Sequence, residues 1–599
     1  MAEATPPSSE SVDEQAKRAI DIMFTQGVDQ AEQFLVDLPS TRTGDLDLKL
    51  KCTIGYVRFV KALMTWDEDV IDETIKFVKS VEKSAETQSK GSAVKKSDQI
   101  SGGIVESDCT LIRGMLTFTR MTIPSYIKAG FHLRSASKGY EKMLKEVEKL
   151  EPKRVEEQIK SMKKPNEGVV SALNEASQDY AKLKASVTMG FGLLNLIMSL
   201  IPDKILIIIK LFGFSANREA ALKALNYCSQ TPDMRSPIAK LVLLWHHTIT
   251  RPSFGLDGDN LIAGVGEAQA IMAQASSIYH DSPLFLYFEG RIAYLRRDTS
   301  KALSAFKESV SRAEDQREIK HVNLYEIGFV HVTNLEWKEA ADAFLILKSE
   351  TRWSVGYYSY LYALSLAASG DVTAAEAEFR NIPSVIKHKN SNYEKYVLRR
   401  SQLHLKMGGL KDFEAALFAL QLAYQWSQIS YLNDDQCQKL LETVQSFQSR
   451  ATTPLIEAVC LQLQGVFLMQ MLQYEEAEKY FRSVLEKAKD CIVRKEQQAP
   501  AFATYEIGRI YFKRGEVEKA KVALAKAKSN YSDYEVESRL QAKVQSLLLF
   551  IKKGGRSSSS SSSPPPPPPI DKEETGSNEA FEEDDHHHHQ TIANDQKND

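Results

Sequence analysis

Cysteine is scarce in this chain of 599 residues, which has six scattered cysteines and no Cys-x-x-Cys pair. A disulfide framework and a structural zinc site both need several cysteines at short, regular spacings. The pattern therefore argues against both. The first residues also lack a basic region followed by an apolar run, which predicts no secretory signal and an intracellular, reducing environment.

Motifs for catalysis and nucleotide binding are missing as well. No Walker A sequence occurs, and Gly190-x-Gly192 and Gly264-x-Gly266 lack the third glycine and preceding strand of a dinucleotide-binding fold. We expect these glycines to serve helix packing or turns. No nucleophile–base, paired-carboxylate or metal-ligand spacing stands out. The sequence therefore predicts no catalytic residue, no metal site and no cofactor, and an unrecognised enzyme stays open as an alternative.

Histidine and cysteine do not form ligand sets. His246 and His247 are neighbours in an apolar helical segment, so their side chains point about 100° apart and cannot chelate as an i, i+4 pair does. Cys437, Cys460 and Cys491 have no histidine at ligand spacing. We expect the histidines in or at the edge of the core, and the cysteines as small buried apolar residues.

Charge is unevenly distributed along the chain. The formal net charge is −3, yet Asp571–Asp599 holds ten acidic residues and two lysines, hence −8, which leaves +5 for residues 1–570. No stripe of lysine and arginine interleaved with aromatic residues accompanies this small positive charge. The pattern gives no support to nucleic-acid binding.

Low-complexity sequence marks the C-terminal part of the chain. Seven serines at Ser557–Ser563 precede six prolines at Pro564–Pro569, then acidic residues and four histidines. Such a composition cannot bury enough apolar surface to offset the entropy of ordering it, so residues 553–599 and residues 1–15 are predicted to be disordered. The proline run favours polyproline II, which SH3, WW or profilin-type domains can bind, although a solvated tail is the simpler interpretation.

An internal repeat is the most informative feature. A small residue is followed twelve positions later by alanine and sixteen positions later by a large apolar residue. Five units share the pattern: Gly290, Ala302 and Phe306; Gly328, Ala340 and Phe344; Ala363, Ala375 and Phe379; Gly465, Ala477 and Phe481; Gly508, Ala520 and Leu524.

The repeat predicts pairs of helices that stack on one another. The small residue and the alanine let two helix backbones approach closely, and one pair alone cannot bury its apolar face. This is the tetratricopeptide pattern. We therefore predict an all-α solenoid, with tetratricopeptide-type repeats at 282–552 and an N-terminal helical region with degenerate repeats at 16–281. Cys109–Glu148 and Tyr393–Gln428 are predicted to be two of the degenerate pairs.

The first helix of each pair is expected to line the concave face, where extended peptides dock. Tyrosine lies three positions before the small residue in four units, and arginine one position after it in two units: Tyr287, Tyr325, Tyr360 and Tyr505, with Arg291 and Arg509. These residue types suit a partner of apolar and acidic character, or else the tyrosines pack between repeats. Glu326 and Glu506 occupy positions where binding of a chaperone C-terminus would need asparagine, which argues against that partner.

An apolar segment interrupts the N-terminal region. Val187–Ile201 and Ile205–Phe214 are separated by Pro202-Asp203-Lys204, and neither piece reaches the ~20 residues that a spanning helix needs. Burial in the solenoid is favoured, while an interfacial hairpin and an exposed partner site stay open. For lipid contact, the candidate residues are Ile207, Ile208, Leu211 and Phe212.

Four stretches together carry a family resemblance. The segment GFGLLNLIMSLIPDKILIIIKLFGFSANREAAL (Gly190–Leu222) resembles the signature of the tetratricopeptide repeat protein 39 family, which includes the fungal inclusion-body clearance proteins. Ser125–Tyr140, the Arg251–Asn260 loop and Ser282–Arg291 agree with it. The resemblance extends over roughly residues 16–552 and implies a helical repeat array.

The resemblance also implies a function. The family has no established catalytic residues, so we expect a non-enzymatic cytoplasmic adaptor that binds proteins or peptides on its concave face. Family members have been connected with lipid homeostasis, inclusion clearance at lipid droplets, ubiquitin-linked turnover and ciliary processes. The alternative is a peripheral adaptor on lipid droplets or the mitochondrial outer membrane that uses the hairpin 187–214.

Overall fold

Helices follow the three- and four-residue spacing of apolar side chains along the chain. In the computed structural model no described residue lies in a strand, which confirms the all-α prediction. The structure describes residues 10–38, 46–91, 94–120, 122–162, 167–200, 217–258, 260–313, 316–351, 354–386, 392–489, 496–534 and 536–555.

The N-terminal helices include several that begin at capping side chains. Ser11 and Glu14 form a capping box at the first helix, and Asp67 caps the fourth. The helices are α1 (Val12–Thr25), α2 (Val28–Asp37), α3 (Leu48–Thr65), α4 (Glu68–Lys90), α5 (Lys96–Phe118), α6 (Ile123–Glu148), α7 (Pro152–Ser161), α8 (Glu167–Gln178), α9 (Tyr180–Met198), α10 (Arg218–Gln230) and α11 (Ser236–Trp245).

A π-helical turn (His246–Thr250) connects α11 to a short helix, α12 (Arg251–Phe254). The remaining helices are α13 (Val265–Tyr279), α14 (Pro283–Leu295), α15 (Thr299–Arg312), α16 (Arg317–Asn334), α17 (Trp337–Glu350), α18 (Val355–Ala368), α19 (Val372–Val385), α20 (Asn392–Lys406), α21 (Asp412–Gln425), α22 (Asp434–Gln448), α23 (Pro454–Gln470), α24 (Tyr474–Ala488), α25 (Gln498–Lys513), α26 (Val517–Ser529) and α27 (Glu537–Lys552). A 3-10 turn (Gln428–Tyr431) lies between α21 and α22.

The five predicted repeat units are confirmed as pairs of packed helices: α14 with α15, α16 with α17, α18 with α19, α23 with α24, and α25 with α26. The small residue is required because the large residue of the second helix lies directly over it. A Cβ built on Gly328 would lie 2.5 Å from Cε1 of Phe344, and one on Gly465 would lie 2.8 Å from Cε1 of Phe481. The spacing of sixteen therefore reports a physical contact between the two helices of a pair.

A second regularity appears in the turn of each unit. The residue seven positions after the small residue has a left-handed backbone. The N–H of the next residue donates a hydrogen bond to the carbonyl of the residue five positions before it, as in a Schellman cap. In the second unit the Glu336 N–H donates to the His331 carbonyl at 2.8 Å. The left-handed residues are Arg297, Leu335, Gly370, Leu472 and Gly515, with φ of 62°, 64°, 100°, 63° and 77°. Because only two of them are glycine, the sequence does not reveal this turn.

The degenerate pairs are also present. Cys109–Glu148 forms the α5–α6 pair, in which a Cβ on Gly114 would lie 3.0 Å from Leu133, and Tyr393–Gln428 contains α20 and α21. Helices also continue through polar stretches of the sequence. Helix α4 continues to Lys90, and α7 lies inside the polar stretch 149–168. Lysine, glutamate and glutamine are good helix formers, so a polar composition alone does not end a helix.

Several helices of the array are buried on most sides, α21, α23 and α25 among them. α21 and α23 consist almost wholly of buried residues, as expected for helices that are apolar around their whole circumference. In the N-terminal region Val187, Leu194 and Met198 of α9 are buried, in agreement with burial of the first apolar piece. Ile207, Ile208, Leu211 and Phe212 lie outside the described residues, as do the tail from residue 556 and residues 1–9.

The contact between Gly328 and Phe344 makes a stability prediction. In Gly328→Ala the new Cβ must displace a fully buried ring, so we expect the free energy of unfolding to fall by about 1–3 kcal/mol. The matched control is Gly266→Ala in α13, where the new Cβ meets nothing within 4 Å. Urea denaturation followed by circular dichroism compares the two. Equal stabilities would contradict the role assigned to the small residue.

Candidate functional site

A cavity of about 840 Å³ lies among helices of both the N-terminal and the C-terminal parts of the array. Its wall is formed by α3, α5, α9 and α11 on one side and by α14, α16, α18, α20, the 3-10 turn and α27 on the other. Most lining side chains are aliphatic or aromatic. A cavity of this size with apolar walls and a few polar groups is typical of a ligand-binding site.

Three of the six predicted partner-contact residues lie on this wall, namely Tyr287, Arg291 and Tyr325. They belong to the first helices of two neighbouring units, as the repeat predicted. Tyr287 and Arg291 are buried, and Tyr325 is partly exposed. Their contact with a partner stays a prediction.

The Glu326 carboxylate organises the polar part of this wall. It accepts hydrogen bonds from Arg291 Nη1 at 2.8 Å, Gln428 Nε2 at 3.2 Å and Tyr287 Oη at 3.4 Å. Arg291 also donates to Tyr431 Oη at 3.0 Å. Burial alone would lower the pKa of Arg291, but the Glu326 carboxylate together with Tyr431 and Tyr287 outweighs burial and raises this pKa above its ordinary value. The guanidinium therefore stays charged and paired.

Tyr505 and Arg509 lie on α25, away from the cavity wall. They form part of an equivalent buried cluster, in which Glu506 accepts hydrogen bonds from Arg509 Nη1 at 2.7 Å and from Tyr424 Oη at 2.7 Å. Glu326 and Glu506 occupy the same position in their repeats. From the sequence, both glutamates argue only against chaperone binding, and their shared position in the repeat is the signal for their packing role.

Tyr360 is enclosed between helices. Its hydroxyl lies 3.0 Å from Nε2 of His404, and its ring stacks on His404 and packs against Phe379 and Tyr396. The side chain has no exposed surface. This agrees with the alternative that tyrosines of the row pack between repeats, and Tyr360 is not part of the site proposed below.

A second polar cluster on the cavity wall was not predicted. Asp108 of α5 accepts hydrogen bonds from Tyr56 Oη at 2.6 Å, Tyr140 Oη at 2.7 Å and Arg235 Nη2 at 3.4 Å. Burial raises the pKa of Asp108, and the Arg235 guanidinium opposes that shift. Three of the side chains come from separate helices and Arg235 directly precedes α11, so the four are far apart in sequence and no local spacing could have indicated them.

The remaining candidate ligands have packing roles. His246 and His247 are buried, as expected, and burial lowers their pKa values to about 3 and about 4, so both are neutral at physiological pH. Cys437 and Cys460 are also buried, and burial raises their thiol pKa values to about 12. Cys491 lies outside the described residues. Within the part that the structure describes, no group of three or more His, Cys, Asp or Glu is arranged to hold a metal ion.

Three lining residues are accessible from solvent. Trp245 of α11 is 52% exposed, Val322 of α16 is 41% exposed, and Tyr393 of α20 is also exposed. Large apolar side chains in such positions stay in contact with water unless a ligand covers them. They mark an accessible edge of the cavity.

The Glu326 cluster makes a second stability prediction. Glu326→Gln removes the charge that compensates buried Arg291, so we expect the free energy of unfolding to fall by about 3–5 kcal/mol. Glu308→Gln is the control, because its ion pair with Arg312 is exposed and such pairs contribute little. Chemical denaturation of both variants gives the comparison. If the two variants unfold alike, the cluster does not hold the cavity wall together.

The chain matches solved structures and one family model. Two solved structures match most of the chain: the APC/C hetero-tetramer Cut9–Hcn1 (11% identity, 90% of this chain and 97% of that chain, TM-score 0.23) and a circular tandem repeat protein with novel repeat topology (13% identity, 90% and 99%, TM-score 0.17). At these TM-scores neither carries an argument about helix arrangement. The family model Iml2/Tetratricopeptide repeat protein 39 matches residues 17–471. The chain therefore belongs to the Iml2/tetratricopeptide repeat protein 39 family.

Proposed function

We propose that this protein is a non-catalytic interaction scaffold that receives an apolar segment of a partner protein in its central cavity. The observation that carries the proposal is the cavity itself, with about 840 Å³ of space and a wall to which the first helices of three repeats, α14, α16 and α18, contribute. Proteins built from tetratricopeptide-type repeats commonly use this inner surface to bind other proteins. The proposal keeps Tyr287, Arg291 and Tyr325 as contact residues.

The charge of the cavity wall favours an uncharged ligand surface. Arg291 is compensated by Glu326, and Arg235 lies near both Asp108 and Asp233. A charged group entering the cavity would lose its hydration, and the guanidinium groups of Arg291 and Arg235 are already compensated by carboxylates. An apolar or aromatic segment meets mainly aliphatic and aromatic walls, and its burial is favourable. The expected acidic character of the partner stays a prediction, since the Arg539 guanidinium also lines the cavity.

The accessible edge supplies side chains typical of binding hot spots. Trp245 and Tyr393 are large aromatic residues whose burial by a partner would release ordered water from a wide surface. Trp426 also lines the cavity, and the Arg539 guanidinium lies 4.8 Å from its ring centre. This cation–π contact holds the Trp426 ring in place before a ligand binds.

The polar groups on the wall support a binding role rather than catalysis. The Asp108 carboxylate accepts hydrogen bonds from two tyrosines, and the Glu326 carboxylate is bound by Arg291 and Gln428. Carboxylates held in this way are poor general bases, since their basic oxygens are already engaged. Participation in lipid homeostasis or inclusion clearance is an expectation from the family alone.

A peripheral adaptor on lipid droplets or mitochondria that uses the hairpin 187–214 is the alternative function. Its candidate residues lie outside the described part of the chain. Among the described helices, none is long and apolar enough to cross a membrane. Recognition of Pro564–Pro569 by a polyproline-binding domain likewise stays a prediction.

Photo-crosslinking from the cavity edge tests the scaffold. A benzophenone amino acid at position 322 should capture a discrete set of proteins in cells, whereas the same residue at position 522 should not. Val522 of α26 is the matched control because it is also an exposed valine, 55% accessible, but does not line the cavity.

A charge substitution completes the test. Val322→Asp should abolish capture of the same proteins by a tagged chain, while Val522→Asp should not, and both should melt like the unaltered protein because both side chains are exposed. Equal capture from positions 322 and 522, or cross-links only to lipid, would contradict a cavity that binds a protein segment.

A further inference from the structure

One cation on the cavity wall has no carboxylate partner. Arg539 of α27 lines the cavity and is partly exposed. Among the residues that the structure describes, no aspartate or glutamate lies within ion-pair distance of its guanidinium, which contacts only Gln425 and Trp426. A cation that keeps its full charge on the wall of a binding cavity is complementary to an anionic group of the ligand.

Every other charged side chain and histidine that lines the cavity has a partner of opposite sign. The pairs are Arg291 with Glu326, Asp108 with Arg235, Arg317 with Glu318, and His321 with Glu350. Arg235 also lies 3.7 Å from Asp233, which does not line the cavity, and this cluster belongs to the wall opposite α27. On the side of α27, the Arg539 guanidinium is therefore the charge that a ligand can compensate.

The Arg539 guanidinium is held in a fixed position. Its Nε donates to the Gln425 carbonyl at 2.8 Å, and its carbon lies 4.8 Å from the ring centre of Trp426. The Trp426 ring is held in turn, because its Nε1 donates to Tyr357 Oη. Nε is thus engaged, while Nη1 and Nη2 have no hydrogen-bond partner in the described part of the chain. Two parallel N–H groups at the end of a guanidinium match the two oxygens of a carboxylate.

This cation lies beside the accessible edge of the cavity. Trp426 packs against the edge residue Tyr393, with ring centres 5.7 Å apart. Because Arg539 is partly exposed, a carboxylate bound to it keeps part of its hydration, which reduces the cost of the contact. The rest of the wall is mainly aliphatic and aromatic. An apolar cavity and a contact for one anionic group therefore lie next to each other.

We propose that Arg539 selects partner segments in which an aspartate or glutamate side chain lies beside the apolar residues that enter the cavity. The inference rests on the proposed function and adds the charge of the ligand. A side-chain carboxylate is the occupant rather than a C-terminal one, because C-terminal carboxylates are captured by nests of free backbone N–H groups. Around Arg539 the wall consists of helices, whose N–H groups are engaged in helical hydrogen bonds.

Selection from a peptide library tests this charge preference. Short random peptides are displayed between two fixed sequences, so that none has a free C-terminus, and are selected on the full chain. Peptides that also bind Val322→Asp are discarded, because that substitution is expected to abolish binding at the cavity. The remaining peptides should be enriched in aspartate or glutamate beside aliphatic or aromatic residues. On Arg539→Glu the enrichment should change to lysine and arginine.

A double-mutant cycle on one selected acidic peptide assigns the contact. Replacing its carboxylate by the amide should weaken binding to the parent chain about tenfold, and Arg539→Gln should weaken binding of the acidic peptide by about the same factor. The amide peptide should bind Arg539→Gln and the parent equally. An arginine that only held Trp426 in place would show no such coupling, because its loss would weaken both peptides alike.

Arg450→Gln is the matched control for the cycle. The Arg450 guanidinium also lies over an aromatic ring, 4.2 Å from the ring centre of Phe413, but does not line the cavity. This variant should bind both peptides like the parent chain. The Arg539 and Arg450 variants should keep the circular dichroism spectrum of the parent, since neither side chain is fully buried.

The outcomes separate this inference from the proposed function. If no peptide is selected whose binding depends on Val322, the cavity does not bind segments and both proposals are wrong. If such peptides are selected without enrichment in acidic residues, only the role of Arg539 is overturned. The same holds if the amide substitution weakens binding to the parent and to Arg539→Gln by the same factor.

Discussion

Close contact between a small residue on one helix and a large side chain on the next is the interaction on which this structure depends. The contact sets the distance between paired helices, and the Schellman turn with a left-handed residue sets their direction. Once both are repeated, each pair presents an apolar edge that the next pair must cover. The first helices of three units, α14, α16 and α18, then line the central cavity, which is a consequence of how the pairs are stacked.

Buried ion clusters keep distant parts of the array in register. Arg291, Glu326 and Gln428 join α14, α16 and the 3-10 turn, although 137 positions separate the first and last of them in the sequence. The ion pair between Asp108 and Arg235 likewise joins α5 to the start of α11. Each charge is costly to bury alone, so only the arrangement that brings both partners together is stable. The polar wall of the cavity is therefore part of what determines its shape.

Local spacing predicted the helices, the five repeat pairs and the inner position of Tyr287, Arg291 and Tyr325, because these depend on contacts within one or two repeats. It did not predict the Asp108 cluster, whose members lie far apart in the chain. Local spacing also could not tell which tyrosines reach the cavity. Tyr360 is buried beside His404, whereas Tyr325 lines the cavity. That distinction depends on the stacking of neighbouring pairs, which a repeat pattern alone does not contain.

Hydrogen–deuterium exchange of the chain bound to a protein cross-linked from position 322 tests the central claim most directly. Because the first helices of the repeats form the cavity wall, binding there should slow exchange in α14, α16 and α18. Exchange in their outer partners α15, α17 and α19 should be unchanged. Protection confined to the outer helices, or absent from every cavity helix, would contradict a scaffold that holds its partner in the central cavity.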